Sequence, residues 1–357
     1  MFLSVKQARC SGALNQIMDM IQTILDYSAK SLVQELDFDE LSKLIEPGLQ
    51  VLLGKKKIRG DIEALFQLTY LERTEANWAF FHDRKFENYI DDGDYELHPC
   101  LAAAHEKSRP MEVLNRLCND LYDSVKDGLP GREGGFSIAL LQKEYEEQNG
   151  ENGRVCPVCV KENLFGMGEG EVDHYFPRKQ FPVLALHPYN LLPVCRDCNG
   201  PRRKHTKNPV AASDTGPGEL CTVFLPYLRC GKDEIELAVS EDPSRHIVMK
   251  PGAKGDKNTE KRIANMERLY DLGRRWSAIF PYVYEDVRAE LRQAGEWGKT
   301  RKDRCDRLRR IMEANADSTK NRRDFIKGVY CGWLLEKSDE ELEEMFLDDT
   351  ANPGPSA

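Results

Sequence analysis

The sequence predicts an α+β chain that is predominantly α, with a small strand-bearing centre set between two helical regions. Apolar residues recur at helical spacing before about residue 150 and again beyond residue 250. Between those limits the chain turns to short segments rich in Pro, Gly and Cys. That same stretch carries two Cys-x-x-Cys pairs and two short strand-like runs, "EIELAV" and "HIVMK". The 357 residues therefore divide into a helical region 1–150, a cysteine-framed region 151–250, a helical region 251–350 and a disordered tail 351–357.

In the first region, Leu14, Ile17, Ile21 and Ile24 fall on one helix face, with Ser11 placed to cap it. "DFDELSKLIEPG" closes at Pro47-Gly48, and Ile62, Leu65, Leu68 and Leu71 supply a further apolar face. "MEVLNRLCNDLYDSV" follows Pro110, and a short helix from about Ser137 to Gln148 lies between glycine-rich joints. In the third region, Ile263, Met266, Leu269, Leu272, Trp276 and Ile279 predict one long amphipathic helix that Pro281 kinks or ends. Ser338 with Glu341 three residues on forms a capping box that opens the last helix.

Composition narrows the class. A chain with 40% hydrophobic and 31% charged residues is that of a soluble globular protein. No apolar run reaches the roughly 18–20 residues of a membrane span, and "MFLSVKQARCSG" lacks a signal-peptide core, so a cytoplasmic location is expected. Of the eleven cysteines, Cys10, Cys100, Cys118, Cys221, Cys230, Cys305 and Cys331 are scattered singly, unlike a secreted disulfide framework. A net charge of -9 argues against nonspecific coating of nucleic acid. Charge is nevertheless segregated. Residues 196–207 carry five basic against one acidic residue and residues 299–310 seven against two, while "EKSDEELEEMFLDD" holds eight acids and one lysine.

Cys156-Pro-Val-Cys159 and Cys195-Arg-Asp-Cys198 are separated by 35 residues. Each spacing lets one tight turn present two sulfurs, and four thiolates close the tetrahedral shell of a structural Zn²⁺. Zinc would tie the ends of the intervening loop, which carries Asp173, His174 and Asn190. An Asp-His pair, an Asn downstream and Asn199 directly after the last cysteine are the parts needed to hydrolyse a phosphodiester. Carboxylate and amide oxygens suit Mg²⁺ or Mn²⁺. An imidazole with an ordinary pKa near 6.5 can deprotonate an attacking water. On a strand, Asp173 and His174 point to opposite faces and address metal and water from different sides.

"CPVC", "EVDHYFPRKQFP", "HPYNLLPVCRDCN" and the basic run after them resemble the HNH endonucleases of the ββα-metal fold, in the branch framed by two zinc-binding Cys-x-x-Cys pairs. The resemblance covers about residues 150–210. It implies a ββα-metal core with His174 as general base and Asp173 on the catalytic metal. It further implies Asn190 as the brace that orients the base and Asn199 as the second metal ligand. Where relatives often carry Lys three residues after that last position, this chain has Arg202, followed by Arg203 and Lys204; with Lys207 these are the expected phosphate contacts. His187 and His205 read as loop histidines, with a phosphate or metal contact as the sharper alternative. Arg268, Arg274, Arg275 and the run 299–310 could extend a DNA track, and the acidic C-terminal helix could dock a basic partner or restrain the nuclease. The flanking layout also resembles the nuclease subunit of Septu-type antiphage systems, which implies an ABC-like ATPase partner. A zinc-stabilised nucleic-acid-binding or adaptor protein with a vestigial site is the alternative, and oligomeric state stays open.

Overall fold

The structure, a computed structural model, describes residues 2–30, 36–98, 108–129, 135–162, 164–165, 168, 170–210, 219–240, 242, 246–293, 300–315 and 321–347. The expected tail 351–357, Cys100, Lys299 and most of the turn at "EDPS" lie outside these residues.

Helices α1 (Gly12–Lys30), α2 (Phe38–Leu44), α3 (Gln50–Leu53), α4 (Lys56–Phe66) and α5 (Tyr70–Asp83) open the chain, followed by α6 (Arg109–Val125) and α7 (Ile138–Asn149). The face with Leu14, Ile17, Ile21 and Ile24 is buried, as its spacing predicts. The face from Ile62 to Leu71 is interrupted. Thr69 accepts from Glu72 N while Glu72 reaches back to Thr69 N (2.8 Å), a capping box that starts α5 and leaves Leu71 77% exposed. Pro110 sits in the first turn of α6, where no amide proton is needed. α6 packs against α4 and against a 3-10 turn, Pro182–Leu186, that belongs to the cysteine-framed region.

The centre holds strands β1 (Gly170–His174) and β2 (Leu191–Cys195), antiparallel with Asp173 opposite Leu192 and His174 opposite Leu191. A one-turn helix, α8 (Arg196–Asn199), follows directly. β3 (Ile235–Val239) and β4 (Ile247–Pro251) form a second antiparallel pair, at the two runs the sequence marks as strands.

Beyond β4 the expected single long helix is three helices: α9 (Thr259–Tyr270), α10 (Leu272–Ser277) and α11 (Phe280–Gln293). Asp271 adopts a left-handed conformation (φ 52), and Glu267 Oε1 accepts from Gly273 N (2.8 Å), which redirects the chain. A Cβ on Gly273 would lie 3.1 Å from the Ile247 carbonyl oxygen and 2.7 Å from Glu267 Oε1, so glycine lets α10 approach β4. Pro281 neither kinks nor ends a helix; it occupies the first turn of α11. α12 (Arg301–Asn315), α13 (Arg322–Leu334) and α14 (Asp339–Leu347) complete the chain, α14 opening with the expected Ser338/Glu341 capping box.

The core is continuous across both expected joints. Phe2 and Leu3 amides donate to the Pro157 carbonyl (3.0 and 2.9 Å), and the Phe2 ring meets Trp276 and Phe325 at 5.3 and 5.5 Å. Buried apolar residues from Phe2 to Leu342 make one cluster. No helix among the described residues is long and apolar enough to cross a membrane.

Candidate functional site

Cys156 and Cys159 lie on one turn, whose tightness Val160 records by adopting φ 60, costly for a β-branched residue. Cys195 ends β2 and Cys198 lies in α8, so the second pair is set by a strand-to-helix junction. All four side chains are buried, with sulfurs within 4.8 Å of one another. Cys156 and Cys198 stand 3.8 Å apart and Cys159 and Cys195 3.7 Å. Sulfurs held at about 2.3 Å around one zinc ion stand about 3.8 Å apart, the spacing of these two pairs, so the group could hold zinc. Hydrogen bonds from neighbouring thiols hold Cys159 well below the ordinary thiol range and that from Cys156 draws Cys195 down to about 7, while burial pushes Cys156 and Cys198 up. Arg275 Nη1 lies 3.2 Å from Cys198 Sγ, and Trp276 Nε1 donates to the Cys159 carbonyl (3.2 Å). Arg275, a candidate for a DNA track, therefore serves the cysteine group instead.

Asp173 is 7% exposed on β1, and its two carboxylate oxygens lie 2.8 and 2.7 Å from Lys204 Nζ. Lys204 is fully buried and also donates to the His174 carbonyl. This corrects the expectation that Lys204 lies on a phosphate-binding surface: its ammonium is taken up by a buried carboxylate that would otherwise lack a counter-charge. Burial pushes Asp173 up and Lys204 down, each opposed by the charge of the other. Arg203 pairs with Asp271 (3.6 Å) and Lys207 donates to the Arg268 carbonyl (3.2 Å), while Arg202 is exposed. The surface part of the basic run is thus smaller than its sequence suggests.

His174 Nε2 lies 3.0 Å from the Ala185 carbonyl. A carbonyl only accepts, so Nε2 carries the proton and Nδ1 keeps its lone pair. The ring packs edge-on against Tyr122 of α6 (4.5 Å between centroids, 71°), and burial pushes its pKa down to about 3. The imidazole is therefore neutral at physiological pH.

Asn190 is fully buried and bridges the two arms of the loop between β1 and β2. Its Oδ1 accepts from Phe176 N (2.6 Å) while Nδ2 donates to the Phe176 and Leu184 carbonyls (3.0 and 2.7 Å). Leu184 precedes Ala185, so Asn190 holds the residue next to the one whose carbonyl meets His174. Asn199 closes α8 and donates to Glu171 Oε2 (2.9 Å). Glu171, two residues before Asp173, shares its face of β1 and raises the Asp173 pKa. Sequence reasoning missed Glu171, although an acid at i−2 on a strand is the signal that finds it.

His187 is buried. Its Nδ1 accepts from Tyr189 N (3.2 Å), and Nε2 faces the Arg84 carbonyl (3.2 Å) and Glu87 (3.3 Å), so it latches the loop to the end of α5 and is spent there. His205 is exposed in a left-handed turn (φ 39). Arg268 holds the Asn208 carbonyl (2.6 Å), and Arg304 pairs with Asp339 and Glu343 of α14 (3.1 and 3.6 Å). The acidic C-terminal helix thus meets part of the basic run within the same chain. Comparison of the chain with protein-family models, curated proteins and solved structures found no match.

Proposed function

We propose that the protein is a metal-dependent endonuclease of the HNH type, with a structural zinc at the four cysteines, hydrolysing DNA phosphodiesters at the β1–β2–α8 unit. The observation that carries the reading is the geometry at His174: Nε2 is tied to the Ala185 carbonyl and Nδ1 is left as acceptor, next in sequence to a buried carboxylate. A ring nitrogen with a free lone pair is what a general base presents, although burial weakens this one as a base. Asp173, Asn199 and Glu171 offer the oxygen donors that Mg²⁺ or Mn²⁺ takes, and Asp173 and Asn199 are the assigned ligands. A divalent ion bound there supplies Lewis-acid stabilisation of the charge developing on the phosphate. His174 Nδ1 takes a proton from water as the water oxygen attacks phosphorus, the P–O3′ bond breaks and the departing 3′-oxygen takes a proton from solvent, leaving 5′-phosphate and 3′-hydroxyl. Asn190 holds the loop on which this alignment depends. Lys204 meets the same carboxylate and competes with a cation for it.

The net charge of -9 leaves DNA affinity to be supplemented by a partner. An ABC-like ATPase in an antiphage defence system is the partner the flanking layout suggests. The second reading is a zinc-stabilised nucleic-acid-binding or adaptor protein, favoured by the hold of Lys204 on Asp173, which gives that carboxylate a structural task. Plasmid cleavage with Mg²⁺, Mn²⁺ or EDTA separates the two. Metal-dependent cutting that His174→Ala abolishes supports the nuclease, and tight DNA binding without cutting supports the binding module.

A further inference from the structure

A second cluster of metal-ligating side chains lies far along the chain from the cysteines, where α5 ends. His82 Nδ1 and His98 Nδ1 converge on one oxygen of Asp83, at 2.9 and 2.7 Å. One donor atom from each of the three residues lies within 4.8 Å of the others. Asp83 is 1% exposed, whereas the imidazole side chains are 25% and 32% exposed, so the group is anchored inside and open to solvent on one side. Its geometry is held by contacts that need no ion. The other Asp83 oxygen accepts from His98 N (2.9 Å), the Tyr95 ring stacks on His82 (4.3 Å, 9°), and Tyr95 Oη donates to the His82 carbonyl (2.8 Å). Trp78 lies against both imidazoles, at 5.2 and 4.7 Å between ring centroids.

We propose that His82, Asp83 and His98 form a binding site for a divalent transition-metal ion. Two imidazoles and one carboxylate suit Zn²⁺, Ni²⁺, Co²⁺ or Cu²⁺ and are a poor shell for Mg²⁺ or Ca²⁺, which take oxygen donors. An ion bound tetrahedrally by such donors at about 2.0–2.2 Å separates neighbouring ligand atoms by roughly 3.3–3.6 Å, so the present contacts must open by about 0.4–0.9 Å. Binding frees each Nδ1 lone pair by leaving the ring proton on Nε2, and a proton goes to solvent only from an imidazole that is charged beforehand. Three protein ligands leave at least one coordination position to water or a further ligand. The ion would pin the segment carrying Tyr95 and His98 to the end of α5. That end is where Arg84 and Glu87 receive His187 from the β1–β2 loop, but the inference stands whether or not the protein is a nuclease.

The test uses the full chain, its cysteine-bound zinc quantified and left in place, titrated with Co²⁺ and separately with Cu²⁺. One further equivalent of Co²⁺ should bind with ligand-field absorption but no added sulfur-to-cobalt charge transfer, and His82→Gln or His98→Gln should weaken it at least tenfold with zinc content unchanged. Cu²⁺ should quench tryptophan emission in the wild type, and the exposed Trp78→Phe should remove most of that quenching, a readout that does not rely on the histidine variants folding. Absence of the additional equivalent, an equivalent that survives both histidine substitutions in folded protein, or quenching undiminished by Trp78→Phe would overturn the proposal.

Discussion

Asp173 and His174 are adjacent in sequence but face opposite sides of β1, and each is held by a group distant in the chain. For Asp173 that group is Lys204, buried without exposure. Removing one member of such a pair leaves an uncompensated charge and costs about 3–5 kcal/mol. Lys204→Met is expected to lower stability by that order in denaturant unfolding at pH 7, and Asp173→Asn/Lys204→Met to recover most of the loss. For His174 the distant groups are Tyr122 and the Ala185 carbonyl, and Asn190 bonds the carbonyl of the preceding residue, Leu184. Asn190 makes three buried hydrogen bonds. At roughly 0.5–1.5 kcal/mol each, Asn190→Ala should destabilise by about 2–4 kcal/mol. Under the nuclease reading it should also slow cleavage. The cysteine group is legible in the sequence because residue type and spacing carry its metal-binding chemistry, whereas the roles expected of Asp173, His174 and Asn190 come from the resemblance over residues 150–210. Lys204, Tyr122 and Arg275 are not legible there, because burial and tertiary approach decide what an ordinary charged or aromatic residue does. Lys204 reads as one of five basic residues in a run and is the one withdrawn completely from the surface.

Helices and strands divide along the same line. β3, β4, α7 and α14 follow from local signals: alternation, a Ser cap on α7 and a capping box on α14. The break after Tyr270 does not, because the 3.6-residue period continues through Asp271 while the backbone turns. The break before α5 was available, since Thr69-x-x-Glu72 is a start signal that the apolar spacing from Ile62 to Leu71 masks. A second consequence sits where α4 meets α6. Burial, with Asp120 adding to it, pushes the Asp61 pKa up to about 6 despite Arg116 at 3.4 Å. An acid whose folded pKa lies above its unfolded value, near 3.9, favours the fold when protonated. That contribution is present below about pH 4 and is lost as pH rises through about 6, on the order of 1–2 kcal/mol after solvent screening. Asp61→Asn should flatten this part of the stability profile, read as melting temperature against pH.

At the scale of the molecule, the cysteine group ties together segments that share no local signal. The N-terminal Phe2 and Leu3 bond Pro157 on the first knuckle, β2 and α8 supply the second, and Trp276 and Arg275 from α10 cover both. If zinc is the ion held there, its binding free energy is folding free energy. Cys156→Ser or Cys198→Ser should then lower zinc content and release buried Trp276 to solvent, seen as a red shift in tryptophan emission. A folded variant with full zinc occupancy would contradict the assignment. The proposed function requires that this scaffold present His174 as the base of a phosphodiester hydrolase. The most direct measurement is cleavage of plasmid and single-stranded DNA by wild type and His174→Ala, with Mg²⁺, Mn²⁺ or EDTA, at matched zinc content and melting temperature. Metal-dependent cutting by the wild type that His174→Ala abolishes is the expected result; cutting at an undiminished rate in His174→Ala would contradict the assignment of His174 as the base.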